Sequence, residues 1–164
     1  MLLVLTSCVT IPEDTFLITK AQLEQRQLET RLYDGINEKD LIIASSNVLQ
    51  DIGFTLENSE IELGVLTGSK EREAGSTGEA AVVVIVAILA GTNPEYRDSQ
   101  KIRVTLVVRP SKASEESNYC RVTFQRIIIM NTGRKRYETL RSPELYVEFF
   151  DGLSKSVFLK SQKI

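Results

Sequence analysis

Between Lys101 and Arg109 the apolar residues Ile102, Val104, Leu106 and Val108 fall at every second position. A period of two defines a β-strand with one face turned to a core. Such a strand needs antiparallel partners and a second layer over its apolar face. The rest of the chain supplies both. Tyr119 to Met130 reads as a strand with Val122 and Phe124 in phase, and a phase change near Arg126 predicts a bulge. Asn131-Thr132-Gly133 is a hairpin signal, so Arg134 to Leu140 is the returning strand. Phe54–Leu56 and Ile61–Thr67 read as two short strands around Asn58-Ser59, with Ile61, Leu63 and Val65 on one face. Leu23 to Tyr33 alternates at Leu28, Thr30 and Leu32, which predicts a half-buried strand, although its first half also admits a helix.

Two helices are expected. The first runs from Asn37 to Ile52, with Asn37 as cap, Ile36 and Leu41 spaced as a hydrophobic staple, and a stripe of Leu41, Ser45, Val48, Leu49 and Ile52. Gly53 stops it at the left-handed position, and Phe54 can fold back on Leu49. The second opens on Ser142-Pro143-Glu144 and carries the stripe Tyr146, Phe149, Phe150, Leu153 and Val157, with Gly152 as its weakest position. Those aromatics are core residues by their spacing. Ser69 to Gly78 is polar and reads as a loop. Ala80 to Ala90 is unbroken apolar sequence. Its Val and Ile content suits a buried strand, whereas the Ser76/Glu79 spacing before it and Gly91 and Pro94 after it favour a short apolar helix. The fold class is therefore α+β: an antiparallel sheet with two main helices packed on one face, and a short additional helix if 80–90 is helical.

A chain of 164 residues fits one such domain. The formal net charge of −2 gives no basis for nucleic-acid binding. Histidine is absent, which removes the commonest general base and metal ligand. The two cysteines, Cys8 and Cys120, are far apart in sequence, and spacing alone leaves a bridge between them open. Cys120 lies in a strand beside Val122 and has no histidine to activate it, so it reads as a small core residue. Gly75-Ser76-Thr77-Gly78 lacks the lysine of a phosphate-binding loop, and Glu115-Glu116 reads as a solvated pair. No catalytic residue, metal ligand or cofactor is expected.

The first eight residues end in Leu5-Thr6-Ser7-Cys8. This resembles the lipobox of bacterial lipoproteins. Small residues before the cysteine suit the peptidase, and the thiol accepts a diacylglyceryl group. Several acyl chains hold stably, at about 0.8 kcal/mol per buried CH₂. No Lys or Arg precedes Cys8 and the apolar stretch is short, so residues 1–8 read as a truncated signal. Residues 9–22 follow as a tether, reaching at most ~40–45 Å, and 23–164 as the domain. Val9 after the cysteine, by resemblance to enterobacterial sorting signals, implies the outer membrane, with the domain in the periplasm.

Three further stretches agree in order: Asn47–Phe54, Gln100–Val104 and Phe149–Leu159. Together they resemble a group of uncharacterised lipoproteins of Gram-negative bacteria, over roughly residues 23–160. In element order alone the chain is similar to the grip-like domains of lipoprotein subunits in outer-membrane assembly machinery. The resemblance implies a membrane-anchored binding or scaffolding component, and brings no catalytic residues. A soluble periplasmic or cytoplasmic binding module with an incidental Cys8 is the alternative, and a carboxylate-based hydrolase is a third reading.

Two surface candidates remain. Val83 and Ile85 stand for the apolar segment, which is either ordinary core or a surface for self-association or membrane contact. Arg134, Lys135, Arg136 and Arg141 give the last hairpin a basic edge. That edge either protects the sheet from mispairing or touches anionic envelope polymers or lipid phosphates.

Overall fold

The computed structural model describes residues 17–71, 100–112, 114, 116–130 and 132–161. The segment Ala80–Ala90, with Val83 and Ile85, lies outside them, as does Cys8. In chain order the elements are α1 (Lys20–Glu29), β1 (Thr30–Asp34), α2 (Glu38–Asp51), β2 (Thr55–Glu60), a 3₁₀ turn (Ile61–Leu63), β3 (Val65–Glu71), β4 (Gln100–Pro110), β5 (Ser117–Ile129), β6 (Lys135–Thr139) and α3 (Pro143–Ser161). The six strands form one antiparallel sheet in the order β1-β5-β4-β3-β2, with β6 also on β5. The fold is α+β.

β5 is long enough to take two partners on the same edge. β1 pairs with its first part (Thr30↔Arg121 to Asp34↔Ser117) and β6 with its last (Gln125↔Thr139 to Ile129↔Lys135). Between them, on that edge, Val122 to Phe124 pairs with neither strand. There the Leu140 amide donates to the Phe124 carbonyl at 2.9 Å, and α1 lies alongside.

The alternating residues of β4 are the centre of the core: Ile102, Val104, Leu106 and Val108 are fully buried. In register with them stand Leu66 and Gly68 from β3 and Cys120, Val122 and Phe124 from β5. Onto this face α2 places Leu41, Ala44, Ser45, Val48 and Leu49, and α3 places Leu145, Tyr146, Phe149, Phe150 and Leu153. Phe124 meets three rings, with centroids 5.9 Å (Phe54), 5.5 Å (Tyr146) and 6.1 Å (Phe149) away. Gly152 lets α3 approach α2; a Cβ there would lie 3.2 Å from the Val48 methyl. The opposite face carries a row Thr67, Thr105 and Thr123 beside a row Ser69, Arg103 and Gln125.

The ends of α2 follow from the sequence. The Asn37 side chain accepts from the Asp40 amide at 2.8 Å. Phe54 N–H donates to Leu49 C=O at 2.8 Å and Gly53 N–H to Gln50 C=O at 2.9 Å, with Gly53 at φ +86°, a Schellman ending. Lys70 from β3 donates to the Ile52 carbonyl at 2.8 Å, a cation at the negative end of the helix.

Four expectations are corrected. The start of the expected Ser69–Gly78 loop, Ser69 to Glu71, is strand, because β3 runs on in register with β4. The first half of Leu23–Tyr33 is helix, and the strand starts only at Thr30. Thr19 and Gln22 form a reciprocal capping box that starts this helix, and it takes in Lys20–Gln22 of the expected tether. Asn58-Ser59 is not a turn. It lies within β2, an edge strand with a register shift between Leu56 and Asn58. The reversal falls on Ile61–Leu63 and left-handed Gly64, so Ile61 and Leu63 are exposed rather than on the Val65 face. Finally, β5 has no bulge near Arg126, because its register with β4 runs unbroken from Gln100↔Ile128 to Pro110↔Asn118. Arg126 stays in phase and its charge is met by Glu138 across the β5–β6 pair, 3.7 Å away.

Candidate functional site

Among the described residues, two surface grooves lie at opposite ends of β1. The first is about 510 Å³ and lies beside the unpaired stretch of β5. It is lined by Leu17, Ile18, Gln22, Gln25, Arg26, Glu29, Arg121, Thr123, Thr139 and Arg141. Its wall is built by a partly buried polar network. Tyr146 Oη donates to the Leu140 carbonyl at 2.8 Å. Gln25 Nε2 donates to Tyr146 Oη at 3.3 Å and to Glu29 Oε1 at 3.0 Å. Glu29 Oε2 accepts from Arg121 Nε at 3.0 Å and Nη2 at 2.7 Å. Burial, with the Glu29 carboxylate nearby, pushes the Tyr146 hydroxyl up to about 12, so it stays a donor at neutral pH.

The Glu29 side chain is only 3% exposed while that of Arg121 is 46% exposed, so the two partners are unequal. Removing the arginine strands a buried carboxylate; removing the carboxylate leaves an arginine that water can reach. We expect Arg121→Ala to cost about 3 kcal/mol and Glu29→Gln about 1 kcal/mol in urea unfolding. Equal losses would mean that burial of Glu29 is not the governing factor.

The second groove, about 520 Å³, lies between the β1–α2 connection and the C-terminal half of α3. Leu32, Ile36, Val157 and Phe158 give it apolar walls; Tyr33, Ser154, Asn37, Asp40 and Lys160 give it polar ones. Tyr33 Oη lies 3.4 Å from the Phe150 carbonyl and 3.3 Å from Ser154 Oγ, and burial pushes its hydroxyl up to about 12. The Lys160 ammonium, 2.7 Å from Asp40 Oδ1, and then the Asn37 amide hold the Asp40 carboxyl below its ordinary value. This groove offers hydroxyl groups and apolar surface; Asp40 and Lys160 pair with each other, and the Asp34 carboxylate accepts from Ser117 Oγ at 2.6 Å.

Cys120 is inside the core, fully buried, with Ser45 Oγ at 3.9 Å. Desolvation pushes its thiol up to about 12, far from a reactive thiolate. Among the described residues no group of three His, Cys, Asp or Glu could hold a metal ion. No described helix is long and apolar enough to cross a membrane.

The basic residues predicted together are divided by the structure. Arg134 precedes β6, whose successive residues Lys135 and Arg136 project from opposite faces, and Arg136 pairs with Glu138 at 3.0 Å. Arg141 leaves this group and lines the first groove with Arg26 and Arg121. The latter two carried no sequence signal. Arg26 sits on a helix read as part strand, and Arg121 was one alternating polar residue among several.

Among known proteins, the chain matches no family model, and no curated protein is significantly similar to it in sequence.

Proposed function

We propose that the chain is an envelope lipoprotein, anchored through Cys8, whose α+β domain binds or scaffolds other components without doing chemistry itself. The observation that carries this reading is Leu5-Thr6-Ser7-Cys8 ahead of a domain whose leading residues are at the surface. Leu17 and Ile18 are 69% and 54% exposed, so a tether can leave the domain there without crossing the core. The grooves support binding over catalysis. Tyr33 in one and Tyr146 behind the other are protonated, and of their carboxylates Glu29 and Asp40 each meet a cation while Asp34 accepts from Ser117. The outer membrane and the periplasm remain the proposed location.

Expression in the native host with the natural upstream region tests this. The N-terminal peptide is expected to begin at Cys8 and to carry acyl mass, and Cys8→Ser is expected to move the protein from the membrane to the soluble fraction. A peptide with residues before Cys8 intact and no acyl group overturns the anchor and leaves a soluble binding module.

A further inference from the structure

We propose that the arginine-lined groove beside α1 holds the phosphate of an anionic lipid headgroup. The assignment rests on the anchored reading above, and makes the membrane the domain's ligand as well as its tether point. Arg26, Arg121 and Arg141 line one groove with the polar side chains Gln22, Thr123 and Thr139. Of the acids nearby, Glu29 is occupied by Arg121 and Gln25, and Glu24 lies 3.9 Å from Lys20. Arg26 and Arg141 have no ion-pair partner among the described residues. Two unneutralised guanidiniums beside a third that is fixed in place suit the oxygens of a phosphate. Arg136 of the hairpin, by contrast, already has Glu138.

Position selects the source of that phosphate. Leu17 and Ile18 lie on the rim of the same groove, both exposed. Apolar side chains next to cations match the boundary between headgroups and acyl chains. Leu17 is nine positions from Cys8, so an anchored chain keeps the groove within ~30 Å of the bilayer. Tethering of that length raises the effective concentration of headgroups at the groove far above what weak binding needs.

The test uses the full chain carrying Cys8→Ser, which cannot be lipidated, so that the anchor plays no part. Flotation with phosphatidylglycerol-containing vesicles is expected to carry the chain upward, and pure phosphatidylcholine vesicles are expected to leave it behind. Arg26→Gln and Arg141→Gln are each expected to weaken binding about fivefold, with melting curves unchanged. Lys135→Gln and Arg136→Gln together are expected to change it less than about twofold. No flotation with anionic vesicles, or a double groove variant that floats like its parent, overturns the proposal. Acyl mass on Cys8 in the native protein would still uphold the anchor. Displacement from the vesicles by millimolar inorganic phosphate, with the same arginine dependence, assigns the groove to free phosphate and overturns the lipid.

Discussion

Phe124→Ala is expected to lower the unfolding free energy by about 3–5 kcal/mol. Phe124 is fully buried at the point where β5, α3 and the end of α2 converge. Phe54 follows the Schellman turn of α2, while Tyr146 and Phe149 belong to α3, and all three rings contact Phe124. Truncation removes the ring's transfer energy and leaves a cavity whose walls come from three separately anchored elements, so collapse is limited. A thermal melt should show a fall of roughly 10–15 °C. Phe124→Leu, which keeps most of the volume, should cost about 1–2 kcal/mol. If the two variants melt together, the cavity is not what governs this site.

The second large effect is expected at Gly64. It closes the 3₁₀ turn with φ +63°, and its carbonyl accepts from Val108 N–H at 2.8 Å. A Cβ there would lie 2.5 Å from the Val108 carbonyl oxygen and would also meet the Glu38 carboxylate. Glu38 can move, but the β4 backbone cannot without disturbing the central strand. Left-handed strain of about 1–2 kcal/mol then adds to a main-chain clash. Gly64→Ala should cost about 3 kcal/mol or more. Gly133 is the control: its φ is +76°, yet nothing lies within 4 Å of its added Cβ. Gly133→Ala should show the strain alone, about 1 kcal/mol. Urea unfolding of both variants checks the contrast, and equal losses would remove the steric part of the argument.

The elements most legible in the sequence were those where local chemistry and burial agree. Asn37, Gly53 and Phe54 mark the ends of α2 by hydrogen bonds that their own types dictate, and β4 shows its buried face at every second residue. Elsewhere an equally local rule misled. Asn58 and Ser59 are turn formers, but an edge strand with a register shift tolerates both, because β2 carries little of the core. Leu28 and Leu32 share a period of two with a strand, yet Thr19 and Gln22 can cap a helix, and the boundary falls between these signals at Thr30. Arg126 looked like a break in alternation; a cross-strand glutamate lets it stay in phase. The candidate site was the least legible part. Arg141 is close to Arg134–Arg136 in sequence but lies after β6 in the connection to α3, and the residues it joins come from α1 and from mid-β5. Such a grouping depends on the strand order, which alternation does not reveal.

That strand order has a consequence in time. From β2 to β6 every strand pairs with the next, so this part of the sheet can grow as the chain is made. β1 is the exception: its pairs, from Asp34↔Ser117 to Thr30↔Arg121, join residues 83 to 91 positions apart. Whatever leaves the ribosome or enters a new compartment N-terminus first must therefore carry β1 and α1 unseated until β5 arrives. Closing that long loop comes late and carries an entropic cost that adjacent hairpins avoid. The earliest-made strand of the sheet is also the one that waits longest for its partner, and it belongs to the piece that joins the domain to whatever precedes it.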